Sequence, residues 1–539
     1  MAAVCCLSSV IASAALLPDT LVAFPGAEGF GKYTSGGRGG KVVYVTTLAD
    51  DADGETEGTL RWAMKQYPDE PLTVCFAVTG EIRLVKDLRL NRRSNFTWAG
   101  QTAPGTGIVI THNKVNFGFS ENFIVRNIRF RIGNEDVNGN LLNANAVGAE
   151  NCSNFIFDHC DFGWSSEENM NSFDSHFFTI QYCIVHEGLY AGGNPKGNRG
   201  YGCQWGGSPA TYHHNLLTNN LKRSCRFNGA RNNDNVVYID YINNVVYNYE
   251  GGSNGCYGGE CNSKITEYNG QNAAHEVNFI NNYYKPTANT KKERYFFQSD
   301  YARDGATSWS PSKWYVSGNI MEGSDAITAD NWQGVKVLTY TKDQIRVDTL
   351  IRPRLNYYNW VSEDSVQGRY DFEALAYAAN AYETAEKAYE SVLDTVGAFP
   401  RDSVELRLVN EVRTGTLTYT GSKTKKQGWI DCASDAEGFF EYPQTTALTD
   451  TDQDGMPDEW EIANGCDPLV ADNNTLHKTG YTMLEVYLHY AMTGEEIHEP
   501  QGIRNTEYKI QTQKILRDGQ ILIQRGGRLY TITGLEISD

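Results

Sequence analysis

Thr211-Tyr-His-His-Asn-Leu-Leu217 and Val237-Tyr-Ile-Asp-Tyr-Ile-Asn-Asn-Val-Val246 share one plan: an apolar-alternating run, a polar corner, then a second short apolar run. The plan recurs in Phe123-Ile-Val-Arg-Asn-Ile-Arg-Phe130, Phe155-Ile-Phe-Asp-His-Cys-Asp-Phe162, Thr179-Ile-Gln-Tyr-Cys-Ile-Val185 and Val277-Asn-Phe-Ile-Asn-Asn-Tyr-Tyr284. Successive copies lie 23 to 38 residues apart, the mark of a short stacked repeat with insertions. Aligned at the corner, they form the column Ile128, Cys160, Cys183, Asn215, Asn244, Asn282. An amide recurring at one register can hydrogen-bond its equivalent on the next rung. A sandwich of unrelated strands gives no reason for that column. The expected fold is all-β, a parallel β-helix.

Working outward, the pattern changes between Tyr370 and Thr395. Phe372-Glu-Ala-Leu-Ala-Tyr-Ala-Ala and Ala385-Glu-Lys-Ala-Tyr-Glu-Ser-Val-Leu read as helix, ended by Pro400. A C-terminal helical extension capping an open end of the solenoid is expected. Near residue 440 a separate module begins. Asp450, Asp452, Asp454 and Asp458 stand at positions 1, 3, 5 and 9 of a twelve-residue calcium loop, with Gly455 at 6 and Glu461 at 12. This predicts a small, EF-hand-like, structural Ca2+ site. Alternation in Ile515–Ile523 and Leu529–Gly534 predicts a β-hairpin tail. The expected division is a signal peptide over 1–22, the β-helix with its extension over 23–435, the calcium module over 440–498 and a β-rich tail over 499–539.

Of the 539 residues, 66 are acidic and 47 are Lys or Arg, a formal net charge of -19. That balance argues against nucleic acid and anionic membrane as general partners. Ala2 to Leu17 are small or apolar, and Ser13-Ala14-Ala15 suits a signal peptidase, so a secreted protein (periplasm or outer cell surface) with no transmembrane segment is expected. The mature chain would keep ten of the 12 cysteines, too few for a disulfide framework; Cys256 and Cys261 are the best local pair. No CxxC pair suggests zinc.

Against the acidic background, Lys196, Arg199, Lys222, Arg223, Arg226 and Arg231 crowd one segment that also carries Tyr201 and Trp205. A local cationic patch reports the ligand better than the overall charge does. The expected ligand is anionic.

Phe24-Pro-Gly-Ala-Glu-Gly-Phe-Gly31, Thr34-Ser-Gly-Gly-Arg-Gly-Gly40, Gly58-Thr-Leu-Arg-Trp62, Gly100-Gln-Thr-Ala-Pro-Gly105, Phe157-Asp-His-Cys160, Gly200-Tyr-Gly202, Trp205-Gly-Gly207 and His213-His-Asn215 together resemble the family 1 polysaccharide lyases, the pectate lyases, from residue 24 to about 430. The calcium-loop tail is a common companion in bacterial members. The resemblance implies a right-handed parallel β-helix and β-elimination on polygalacturonate, the anionic plant cell-wall polysaccharide of pectin, by a monomer. Removal of the C5 proton of a uronate requires positive charge at the C6 carboxylate, where the enolate develops. The family's catalytic arginine, eight residues after the Asn of the His-His-Asn string, falls on Arg223. Its substrate lysine falls on Lys196 and a second substrate arginine on Arg226, whose planar fork suits a carboxylate. Arg199 and Trp205 complete the expected substrate contacts, and His213 and His214 are read as structural. The proline expected between the arginines is replaced by Cys225.

The implied calcium ligands fall on Asn145, Glu167 and Asn171, where two of three carboxylates are neutral amides; carboxylate count tunes affinity, so a weaker primary site is expected. Asn134 also stands for a frequent Asp, with Glu135 and Asp136 as possible substitutes. Three rivals stay open. One is a calcium-independent lyase on methyl-esterified pectin. Another is a non-catalytic pectin-binding β-helix. The third, an inverting polygalacturonase, needs carboxylates across the scissile bond, and the adjacent pair Asp50-Asp51 precedes the repeats.

Overall fold

The computed structural model describes residues 21–497 except 230–235, 251–254, 260–266, 269–270, 273, 300–310, 339 and 352–381, together with the backbone of four short strands between 513 and 537. The expected signal segment up to residue 20, the helical pattern over 372–379 and Cys261 lie outside the described residues.

Three parallel sheets wind into a right-handed β-helix, each rung giving one strand to each sheet. The first sheet has ten strands, from Lys41–Val45 to Lys313–Ser317; the second has nine, from Gly80–Arg83 to Ile320–Met321. The third also has nine, from Leu88–Arg89 to Val335–Val337. Alternation turns one set of side chains inward. Phe96, Phe123, Phe155 and Phe178 form a stack inside the first sheet, with ring centroids 5.2, 4.8 and 4.4 Å apart. Each ring buried this way contributes about 1.5–3 kcal/mol.

The corner between the first and second sheets is built as the column predicts. Asn127, His159, Tyr182, His214, Asn243 and Asn281 all hold the left-handed conformation, φ between 51° and 59°. The next residue starts the ladder. Cys183 N donates to Asn215 Oδ1 (2.9 Å), Asn215 N to Asn244 Oδ1 (3.0 Å) and Asn244 N to Asn282 Oδ1 (2.9 Å). The ladder runs two residues beyond the sequence reading, through Asn319 (2.8 Å) to Asn331 (2.8 Å).

Two of the three outer faces are covered. The glycine-rich N-terminal strap crosses the first sheet, where Gly31 N donates to Thr179 Oγ1 (2.9 Å) and Gly37 N to Thr97 Oγ1 (2.9 Å). A Cβ on Gly31 would meet Phe155 O at 2.4 Å, so only glycine lets the strap lie this close. Met456, Trp460, Leu484 and Tyr487 of the tail module pack beside it on Cys75 and Ala99. The second sheet is covered by helices Ala385–Thr395 and Ser403–Thr414, whose Val392, Leu393, Leu408 and Val412 bury Trp164, Ile184, Leu216 and Val245. The expected end cap is therefore corrected: these helices lie along the solenoid's flank. At the N-terminal end it is the short helix Leu60–Ala63 that packs into the core. Buried ion pairs fix the flank, Arg131 joining Asp161 (2.9 Å) to Asp402 (2.7 Å) and Arg129 joining Glu405 (2.7 Å). The β-rich tail is a four-stranded antiparallel sheet, Gln513–Arg517 through Glu536–Ile537. No helix among the described residues is long and apolar enough to cross a membrane.

Candidate active-site groove

Among the described residues, the apolar clusters of the strap, the tail module and the two helices lie on the first and second sheets, and the cationic segment folds onto the third. Parallel register places Asn116, Gly148, Asn171, Gln204, Arg226 and Tyr257 in one row across successive strands. A neighbouring row pairs Glu168, Tyr201 and Lys222. Rungs are ~4.8 Å apart, so residues 30 apart in sequence become neighbours.

Arg223, in the left-handed region at φ 57°, opens the strand pair Arg226–Phe227. Its guanidinium lies 4.0 Å above the centroid of the Tyr201 ring, donates to Tyr257 Oη (3.0 Å) and Gln204 Oε1 (3.3 Å), and is ion-paired with Glu168. Burial holds it below the ordinary arginine value; Tyr257 opposes that shift and the adjacent Arg226 adds to it. Arg226 shares the Gln204 acceptor (3.2 Å). Glu167 binds Lys196 Nζ (2.8 Å) and Arg199 Nε (3.2 Å). The two ion pairs differ in cost. The Lys196 side chain is 63% exposed, so releasing it costs at most about 1 kcal/mol. Arg223 and Glu168 are 12% and 8% exposed, and stripping one from the other costs about 3–5 kcal/mol. Lys196 is free to follow a ligand; Arg223 is held.

Of the residues expected here, Lys196, Arg199, Arg223, Arg226 and Glu167 come together. Trp205 does not. It is fully buried, stacked on Tyr212 at 4.4 Å and 10°, because alternation along Tyr201–Trp205 turns it inward. His213 and His214 lie at the first-to-second corner, linked through their Nδ1 atoms (2.8 Å), with His214 stacked on Tyr182 at 5.0 Å. Burial pushes both below the ordinary histidine value. Tyr201, Gln204, Tyr257 and Glu168 were not singled out as site residues. Glu168 and Gln204 become legible only through register.

The calcium site implied at Asn145, Glu167 and Asn171 does not fit the side chains. Calcium takes six to eight oxygens from carboxylates, carbonyls and water, and its affinity follows the carboxylate count. Glu167 is already bracketed by Lys196 and Arg199, and Glu168 by Arg223. Asn171 offers one buried oxygen without a hydrogen-bond partner. Asp136 closes its own turn, accepting from Asn138 N (2.8 Å) and Asn140 N (2.9 Å).

The tail loop does fit. Ligand oxygens of Asp450, Asp452 and Asp454, and of Asp454, Glu461 and Asp472, lie within 4.8 Å of one another in two overlapping groups. Both oxygens of Asp452, both of the fully buried Glu461 and Oδ1 of Asp472 have no hydrogen-bond partner. Burial, with the crowding of Asp454 and Asp452, pushes Glu461 up to about 8; burial and Asp452 push Asp454 up to about 6. A divalent cation relieves both effects. One expected ligand changes. Asp458 turns its oxygens to Thr451 N (2.7 Å) and Oγ1 (2.7 Å), stands outside both groups, and Asp472 joins from beyond the loop.

No protein-family model matches the chain. It is 30% identical over 488 residues to probable pectate lyase C of Aspergillus flavus, covering 89% of this chain and 96% of that protein. Against probable pectate lyase C of Aspergillus terreus it is 30% identical over 484 residues, covering 87% and 94%. Among solved structures, the cedar pollen allergen Jun a 1 matches at a TM-score of 0.45 and 15% identity, over 69% of this chain and 92% of that chain.

Proposed function

Since the chain belongs to the pectate lyase family, we propose that its open third sheet binds polygalacturonate and cleaves it by β-elimination. One observation carries this reading: in a protein of net charge -19, Lys196, Arg199, Arg223 and Arg226 gather at the third sheet against Tyr201, Gln204 and Tyr257, with Lys196 exposed and Arg226 buried.

In this reading a uronate lies along the outward row. Arg226 and Lys196 hold its carboxylates, and the cations face the C6 carboxylate where enolate charge grows. Arg223 takes the C5 proton, the C5–H electron pair forms the C4–C5 double bond, and the C4–O bond breaks with its pair going to the glycosidic oxygen, which takes a proton from water. A guanidinium has no lone pair for the proton, so the base is the neutral guanidine; burial beside Arg226 favours it, while Tyr257 and the paired Glu168 carboxylate favour the charged form. The Glu168 pair fixes its orientation. No step runs through a groove metal. Ca2+ belongs to the tail loop, where Asp450, Asp452, Asp454, Glu461 and Asp472 would hold it and it would neutralise their mutual repulsion. Secretion, as a monomer, to the periplasm or outer surface would bring the enzyme to so large a polymer.

The test is ultraviolet absorbance of the unsaturated product on polygalacturonate, for the native protein and Arg223→Ala. Product lost in the variant supports the lyase. A binding-only reading has one point in its favour, the held Arg223–Glu168 pair. It predicts polygalacturonate binding with no absorbance from either protein.

A further inference from the structure

A second cationic concavity has no part in that chemistry. A cleft of about 850 Å3 opens at the N-terminal end of the third sheet, against its edge strand Leu88–Arg89. Arg61, Lys65, Lys86, Arg89 and Arg93 line it, against Asp53 and Asp87. Arg61 is neutralised by Asp50 through two hydrogen bonds (2.9 and 2.8 Å). Arg93 is not. It is 92% buried, donates only to the carbonyls of Pro68, Gln66 (3.3 Å) and Glu70 (3.5 Å), and keeps an Nε with no hydrogen-bond partner. Burial lowers its guanidinium from the ordinary value, with Asp69 opposing. With carbonyls as its only hydrogen-bond partners and Asp69 as its one opposing charge, Arg93 keeps part of its desolvation cost, and an anion beside it would offset that part. At the rim, the side chains of Lys65, Lys86 and Arg89 are 51%, 52% and 63% exposed, so their ion pairs are weak and exchangeable.

Register ties this cleft to the groove. Arg89 pairs with Asn116 and so begins the row Asn116, Gly148, Asn171, Gln204, Arg226. Five rungs at ~4.8 Å put Arg89 ~24 Å from Arg226, a span for several linked sugars. No carboxylate stands in that row. Beside it, Lys114 Nζ and Glu150 Oε2 both stand over Gly148, where an added Cβ would meet them at 2.8 and 3.2 Å, and Glu150 Oε1 accepts from Asn171 Nδ2 of the row (3.5 Å).

We propose that the Arg89 cleft is a second anion site, holding a distal uronate of the same polysaccharide chain whose reacting sugar lies at Arg223. This rests on the polygalacturonate reading of the groove. The test uses Lys86→Glu/Arg89→Glu, with long-chain polygalacturonate and trigalacturonate as probes. The expected result at ~50 mM salt is a several-fold higher KM on the long chain, shrinking at ~500 mM as screening takes over, with kcat and the trimer's KM unchanged. An equal loss on the trimer, or no change on the polymer, overturns the proposal. Lys86→Gln/Arg89→Gln, with thermal melting, guards against misfolding of the charge reversal. Electrophoresis through gels containing polygalacturonate or fully esterified pectin separates this proposal from the lyase reading. Retardation lost only in the polygalacturonate gel supports the cleft even if no cleavage product forms. Unchanged retardation in an active enzyme overturns the cleft and leaves the lyase standing.

Discussion

Stripping calcium from the tail loop should expose a defined proton count. Without metal, the Glu461 carboxyl is pushed up to about 8 and that of Asp454 to about 6. At pH 7 the first is about nine-tenths protonated and the second about one-tenth. A calcium ligand must be ionised, so binding at pH 7 releases about one proton, about 1.5 at pH 6 and about 0.1 at pH 9. The sign for stability follows. Both folded values are raised above the unfolded ones, so the metal-free loop binds more protons than the unfolded chain. Its contribution is present below about pH 4 and lost as pH rises through about 8. The calcium-loaded protein escapes that loss, so the gap in Tm between loaded and chelated forms should widen from pH 5 to 8. Calorimetric calcium titration in two buffers of different ionisation enthalpy counts the protons. Release near zero at pH 7, or the same at pH 6 and 9, would refute the assignment of Glu461 as a ligand.

Other outcomes follow from the groove and the core. Arg223→Ala should lower kcat on polygalacturonate by roughly 10²–10⁴-fold, and Arg223→Lys should not restore it, since an ammonium cannot span Glu168, Gln204 and Tyr257 together. Glu167→Gln should release Lys196 and Arg199 and lower KM for polygalacturonate, with no change in the rate's response to calcium; loss of a calcium response would make Glu167 a metal ligand instead. Trp205→Ala should destabilise by about 3–5 kcal/mol in chemical denaturation, and a raised KM at unchanged stability would return it to the groove. Asn244→Ala strips partners from Asn215 N and Tyr212 O, so a loss of at least about 2 kcal/mol is expected, and a loss below 0.5 would show that the ladder is not structural.

The sequence by itself determined the β-helix and the identity of its corner. The asparagine column is legible because every rung repeats the same local need: a left-handed residue, then an amide whose oxygen meets the next rung's N–H. The motifs that carry the family likeness are equally local. The Phe24–Gly40 glycines and His213-His214 mark a strap and a corner, and their chemistry is close packing rather than catalysis. The candidate calcium loop is legible for the same reason, since four of the five carboxylates that would hold the ion lie within twelve residues. What only the tertiary structure decided depends on register and on which face is covered. Whether Trp205 points inward is set by strand alternation, which a run holding Tyr201, Gln204 and Trp205 does not declare. Glu168 reaches Arg223 across the intervening Tyr201 rung, and Asp472 reaches Glu461 from a separate turn. The third sheet is the proposed groove because apolar side chains of the strap, the tail module and two helices bury the other two faces. Stacking at ~4.8 Å turns separations of 22 to 55 residues into contacts, and no local pattern encodes that conversion.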